Sequence, residues 1–234
     1  MTDDKSSQRT VSTAALNRLR AAVLGANDGI VSTSSVVMGV AAATNSRSAV
    51  FTAGMAALVA GALSMAVGEY VSVSSQSDAE KVYIEKERRQ LSDDPDAALE
   101  ELAQAYAERG VNHDTALQVA TELTAKDALK AHLNAEFNID EEDVSNPMHA
   151  AVASLLAFTA GGLVPFLATI LSPSGSQLYI TVAAVFVGLL FTGYFSATMG
   201  GASRRRAMAR VLAGGLLAML ITYVVGKLFG AAVS

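Results

Sequence analysis

Residues 48–94 read SAVFTAGMAALVAGALSMAVGEYVSVSSQSDAEKVYIEKERRQLSDD. Positions 48–73 carry a single charge, Glu69, among Ala, Val, Leu, Met and Gly. About 20 mostly apolar residues suffice to cross the hydrocarbon core of a bilayer. From Asp78 onward charge becomes dense, yet good helix formers continue to about Gln90. The stretch therefore predicts one helix that leaves an apolar solvent and continues into water.

The rest of the chain repeats this segregation. Four further apolar stretches lie at about 19–43, 148–171, 178–200 and 207–229. The 234 residues are 51% hydrophobic and only 17% charged, against about 25% in ordinary soluble domains. Residues 76–143 hold 18 of the 22 acidic groups and 7 of the 17 basic ones, a local net charge of −11. A soluble globule would mix polar and apolar residues throughout, so a soluble enzyme is not expected. The expected class is an all-α membrane protein: five transmembrane helices with a three-helix cytosolic insert between spans two and three. The divisions are a cytosolic arm at 1–17, spans one and two at 18–75, the acidic insert at 76–146, and spans three to five at 147–234. A total charge of −5 without a basic stripe argues against nucleic-acid binding. The absence of Cys removes disulfides, thiol nucleophiles and Cys-based zinc sites.

Orientation follows from Lys and Arg, which favour the cytosolic side. The arm through Arg20 has four, the loop with Arg47 one, the insert seven, the loop 172–177 none, and the stretch Arg204, Arg205, Arg206 and Arg210 four, with Lys227 near the last end. An N-terminus in the cytosol leaves only Arg47 and Lys227 outside. Residues 1–17 hold Asp3, Asp4, Lys5 and Arg9 and no cleavable apolar core, so no signal peptide is read there. The expected location is the inner (plasma) membrane, multi-pass.

Small residues recur four apart at Gly25 and Gly29, at Ser64, Gly68 and Ser72, and at Gly193, Ala197 and Gly201. Such rows let helices approach closely in lipid, and packing is their ordinary use. Pro165 sits inside span three, removes one backbone donor and predicts a kink. In the insert, Asp94-Pro95 has the form of a cap followed by proline at the first helical position. Leu99, Leu102, Ala103 and Tyr106 form that helix's apolar face, and Gly110 ends it. A third region, with Ala116, Val119, Ala120 and Leu123 followed by Leu129, Leu133 and Phe137, reads as one helix bent near Asp127 or as two short ones.

Catalytic signatures are absent. There is no phosphate-binding loop ending in Lys-Ser/Thr, no His-Glu-x-x-His and no Gly-x-Ser-x-Gly. His113, His132 and His149 lie outside the membrane core, so an intramembrane Ser/His hydrolase has no base. No enzyme is expected, and transport, lacking an ATP site, would run on ion gradients. Only two acids lie within the spans, Asp28 and Glu69. Placing a charge at the bilayer centre costs about 3 kcal/mol or more, so such residues are functional suspects. At 1.5 Å per residue, Asp28 lies roughly 13 Å and Met65 roughly 12 Å from the cytosolic ends of adjacent helices. Glu69 is one turn nearer the cytosol on the face of Met65. A carboxylate beside a thioether suits Fe²⁺, Mn²⁺, Co²⁺ or Zn²⁺ better than Mg²⁺ or Ca²⁺; Met65 as plain packing is the other reading. Most acids of the insert, including Asp93, Asp94, Asp96, Glu108 and the run Asp140–Asp143, read as solvated charge. His132 and Glu136, four apart, could share a metal.

Three motifs make the chain recognisable. LRAAVLGANDGIVS at 19–32, AGALSMAVGEYVSVSS at 60–75 and GGLVPF at 161–166 resemble, in order, the first three span signatures of the vacuolar iron transporter family, the second in a bacterial style. The resemblance covers about residues 18–229. It implies a homodimer in membrane lipid that moves Fe²⁺, in some members Mn²⁺, out of the cytosol in exchange for protons. No cofactor is permanently bound; the metal is cargo. The family's membrane-site aspartate falls on Asp28 and its methionine on Met65. A glutamate that plant-type members carry further out along span two falls on Ala57. Glu69, about three turns from Ala57, cannot occupy that site, although it is counted with Asp28 and Met65 along the pathway.

The family's insert binds metal through glutamates on three helices. These fall on Glu87, Glu101 and Glu136, while two others fall on Gln90 and Ala98, and a methionine pair falls on His132 and Leu133. The implied insert site is thinned, with His132, Glu80 or Glu100 as additional ligands. The competing expectation is a membrane-anchored metal sensor or buffer. A deep Asp28–Met65 pair separates the two, because a sensor needs no intramembrane acid.

Overall fold

In a computed structural model, residues 13–139, 146–173 and 175–233 are described. The acids and bases of residues 1–12 and the run Asp140–Asp143 lie outside them. Among the described residues the regular structure is entirely helical. The helices are α1 (Thr13–Ala43), α2 (Arg47–Asp93), α3 (Pro95–Glu108), α4 (His113–His132), a π-helical turn (Leu133–Phe137), α5 (Pro147–Leu171), α6 (Gln177–Met199) and α7 (Arg204–Val233). Five of them, α1, α2, α5, α6 and α7, are long and apolar enough to cross a membrane. The chain divides into two compact units, one built from Asn17–Tyr70 with Met148–Ser234, the other around Val71–Pro147. The boundary falls inside α2, close to where its sequence turns from apolar to charged.

In the apolar unit, α1 is the central helix. Its Ile30, Val37 and Met38 form one buried cluster with Val50 of α2, Phe166 of α5, Val185 and Leu189 of α6, and Met219 of α7. Helix α1 has the lowest hydropathy of the five spans, and its small residues let neighbouring helices approach closely. A Cβ added at Gly25 would lie 2.9 Å from the Ser154 carbonyl oxygen, and one at Gly29 would lie 2.9 Å from the Gly162 nitrogen. The first small-residue row is thus the α1–α5 contact. Gly193 likewise faces the Met208 backbone of α7. The α2 row behaves differently, for Ser64, Gly68 and Ser72 are exposed and Gly68 meets nothing within 4 Å.

Outward faces carry Val59, Leu63 and Val67 on α2, Phe191 on α6, and Leu217 and Leu220 on α7, all more than half or about half exposed. Such surface is compatible with lipid as solvent and not with water. Helix α5 continues through Pro165 to Leu171. Thr169 donates to the Pro165 carbonyl at 2.7 Å and pairs with Thr181 of α6 at 2.8 Å, a buried hydroxyl pair that ties α5 to α6. Arg47 donates to the Ile170 carbonyl at 3.4 Å and to that of Ser172, supplying a cation to the C-terminal end of α5.

The charged unit is built by helix caps. Asp94 accepts from the Ala97 backbone N–H at 3.0 Å, with Pro95 in the first turn. The chain leaves α3 through Gly110, whose φ of +95° few other residues adopt. Asn112 caps α4. Helix α4 is interrupted at Asp127 (φ −165°, ψ 94°), whose carboxylate accepts from the Lys130 backbone N–H at 3.0 Å and starts the next helical turns. Of the two readings for this region, two helical segments meeting at a kink at Asp127 are what forms. Leu102, Ala103, Ala116, Ala120, Ala131 and Ala135 make the small core, with Leu99, Tyr106 and Leu123 at its margin.

Candidate metal sites

Two places collect the side chains singled out by sequence. The first is in the apolar unit. Asp28 sits half-buried on the central helix and accepts a hydrogen bond from Ser32, one turn on, at 2.7 Å. Gly29, next to it, and Gly61 of α2 both abut Phe158 of α5. Met65, one turn beyond Gly61, packs half-buried on the cluster of Leu58, Ala62 and Phe158. Gly29 meets the Phe158 backbone whereas Gly61 meets its ring, and apolar contact is what the Met65 thioether makes here. Glu69 is 9% exposed, and Arg20 of α1 donates to its Oε1 from Nη2 at 3.3 Å. Other buried oxygens of this unit, Asn27 Oδ1, Thr33 Oγ1, Ser35 Oγ and Ser154 Oγ, have no hydrogen-bond partner within the protein. Three of them lie on α1 with Asp28, which gives the central helix an unusually polar interior for an apolar bundle.

The second place is in the charged unit. Glu87 from the extension of α2, His132 from the end of α4 and Glu136 from the π turn bring one ligand atom each to within 4.8 Å of one another. His132 Nδ1 lies 2.9 Å from Glu136 Oε1 and 3.6 Å from Glu87 Oε2. His132 and Glu87 are essentially without solvent contact, at 0% and 1% exposure. Local structure explains the convergence. Tyr83, one turn before Glu87, stacks on Phe137 with ring centroids 4.9 Å apart. Arg109 donates to the Ala135 carbonyl, tying the π turn to the end of α3. Single π turns inside helices are frequent at functional sites because they shift side chains out of α register.

Negative charge at this cluster is only partly compensated. Burial pushes the Glu87 carboxyl above its ordinary range, the Glu136 charge adds to the rise, and His132 and Lys86 oppose it. Glu87 Oε2 and His132 Nε2 are buried without a hydrogen-bond partner. Two carboxylates and an imidazole with free valences form a donor set suited to a divalent first-row metal.

The remaining candidates sit apart. Glu101 Oε2 accepts from Gln90 Nε2 rather than joining the three ligand atoms, although its charge also raises the Glu87 pKa. Glu80 accepts from Gln76 at 2.8 Å. Glu100 pairs with His113 at 3.5 Å near the surface. Sequence reasoning ranked His132 below the three glutamates, because nothing in the linear pattern told that the α4 bend would bury it against Glu87. It also missed Arg20 as a partner of Glu69; the signal was an Arg two turns before Asp28 on the same helix.

Comparison with known proteins agrees with the resemblance. The model of the VIT family matches residues 19–227. A vacuolar iron transporter of Acanthamoeba castellanii is 46% identical over 211 residues, covering 90% of this chain and 78% of that protein. Vacuolar iron transporter homolog 2 of Oryza sativa subsp. japonica is 40% identical over 212 residues, 90% of either chain. Vacuolar iron transporter homolog 2 of Arabidopsis thaliana is 38% identical over 213 residues, with 91% and 84% covered.

Proposed function

The chain belongs to the VIT family of multi-pass membrane proteins, and from that premise we propose that it exports Fe²⁺, with Mn²⁺ as a second cargo, from the cytosol in exchange for protons. The observation that carries this reading is Asp28, a half-buried carboxylate on the central helix of an apolar bundle, held by Ser32 on a helix that also carries the unpartnered oxygens of Asn27, Thr33 and Ser35. A carboxylate in that setting alternates between binding a proton and binding a metal, which couples two opposite fluxes. Met65, which packs on the Phe158 cluster of the same unit, supplies a soft donor. The cluster Glu87–His132–Glu136, with Glu101 beside it, captures metal on the cytosolic side. The N-terminus is cytosolic, following the Lys and Arg distribution. The proposed membrane is the inner (plasma) membrane; the relatives' names assign those proteins to a vacuole. The active form is a homodimer, in keeping with the exposed small-residue row of α2.

A second reading has its own support. The buried donor cluster lies wholly in the charged unit, as a membrane-anchored sensor or buffer would require. Reconstitution separates the two. Purified protein in liposomes should accumulate Fe²⁺ or Mn²⁺ when an opposing proton gradient is imposed, and much less without one. Metal binding with no uptake under either condition would leave the sensor reading standing.

A further inference from the structure

We propose that Arg20 is a specificity-determining residue of the transport path: a tethered cation that occupies Glu69 until a divalent metal displaces it. The inference rests on the transport reading above and concerns how that path is entered. Four observations carry it. Glu69 is the only acid besides Asp28 in the membrane-crossing stretches, and it is 9% exposed. Its partner is Arg20 Nη2 at 3.3 Å, while the Arg20 side chain itself is 59% exposed. Arg20 opens the candidate span Leu19–Ala43, eight residues before Asp28 on the same helix. Glu69 lies four residues beyond Met65 on α2. The pair therefore joins α1 to α2 about one to two helical turns on the cytosolic side of the Asp28–Met65 level.

A buried lone carboxylate at the mouth of a cation path would be filled by whichever cation is most abundant. In the cytosol that is a monovalent ion. A guanidinium is always charged and cannot be removed by deprotonation. Being covalently tethered, it is present at an effective concentration that free monovalent ions do not match. A divalent ion has twice the attraction for the same carboxylate and can take its place. The Arg20 side chain, exposed on its other side, has room to swing away without crossing the apolar interior. Selectivity at this step is then a competition between a built-in monovalent cation and an incoming divalent one. The device is one of negative selection against the wrong ion.

The test uses the full chain, with Mn²⁺ as probe and Na⁺ as competitor. In liposomes, Arg20→Gln should lower the half-saturating Mn²⁺ about fivefold, the size a half-buried ion pair is worth, and should make uptake newly sensitive to Na⁺. Arg20→Lys, which keeps the charge, should stay near wild type in Na⁺ sensitivity. Circular dichroism and gel filtration confirm that each variant is folded. Unchanged half-saturation in folded Arg20→Gln, or Na⁺ inhibition equal to wild type, overturns the proposal and leaves the ion pair a structural tie. Should the wild type move neither Mn²⁺ nor Fe²⁺, the transport reading has failed. Na⁺ competition for Mn²⁺ bound to the detergent-solubilised chain still decides the role of Arg20, with a gain of Na⁺ competition in Arg20→Gln expected and no gain refuting it.

Discussion

Replacing Glu87 by Gln should stabilise the metal-free charged unit and, at the same time, remove most of its stabilisation by metal. Glu87 is 1% exposed and has a carboxylate oxygen without a hydrogen bond. Burial first, and Glu136 second, hold its proton more tightly than the ordinary value of 4.5. Because the folded value is the higher one, the stability that protonation supplies is complete below 4.5 and is lost as pH rises through the folded value. Metal-free wild type should therefore be weaker at pH 7 than at pH 4.5, while Glu87→Gln is free of that contribution at both. A buried acceptor left unsatisfied costs about 1–3 kcal/mol, so the gain at pH 7 should be about 1 kcal/mol, the amide still needing partners of its own. Hydrogen exchange on the full chain in detergent reads this locally. Peptides spanning residues 80–90 and 128–137 should exchange about fivefold to tenfold more slowly in the variant at pH 7 without metal. Once intrinsic rates are corrected, the difference should shrink at pH 4.5. Adding Mn²⁺ to about 100 times its dissociation constant should protect the wild type by about 2.7 kcal/mol and the variant far less. Faster exchange in metal-free Glu87→Gln would refute the reasoning, since it would make Glu87 a stabilising partner of His132. Equal protection by Mn²⁺ in both proteins would remove Glu87 from the ligand set.

Other expectations concern the apolar unit. Asp28→Asn should abolish proton-coupled metal uptake in a folded protein, because the amide keeps the shape and can neither carry a proton nor neutralise a cation; wild-type flux would rule the site out. Met65→Leu preserves volume in the Phe158 cluster and should impair uptake less than Asp28→Asn does, with no change at all meaning that Met65 only packs. Gly29→Val would drive side-chain atoms into the α5 backbone near Phe158 and Gly162 and should cost at least about 1–3 kcal/mol. A thermal midpoint equal to wild type in that variant would mean that the α1–α5 contact is looser than described.

The order of elements was readable along the chain because it is set by local chemistry. Apolar run length marks the five spans, Asp94-Pro95 marks the start of α3, and Asp127 marks the bend of α4 by accepting from a backbone N–H three residues on. Each signal lies within a single contiguous stretch of chain, so no distant contact is needed to see it. Asp28 and Glu69 were visible for a similar reason: two acids in otherwise uncharged spans are conspicuous whatever surrounds them. Partnership was not visible. That Glu87 meets His132 depends on the kink at Asp127 and on the π turn that follows, and that Glu101 is held by Gln90 depends on how α3 turns back on α2. That Glu69 faces a guanidinium depends on how α1 lies against α2. A helix's own sequence states which residues share a face, but the neighbour that face meets is chosen by packing among all the helices. Charge pairing across 49 residues of chain is decided only there.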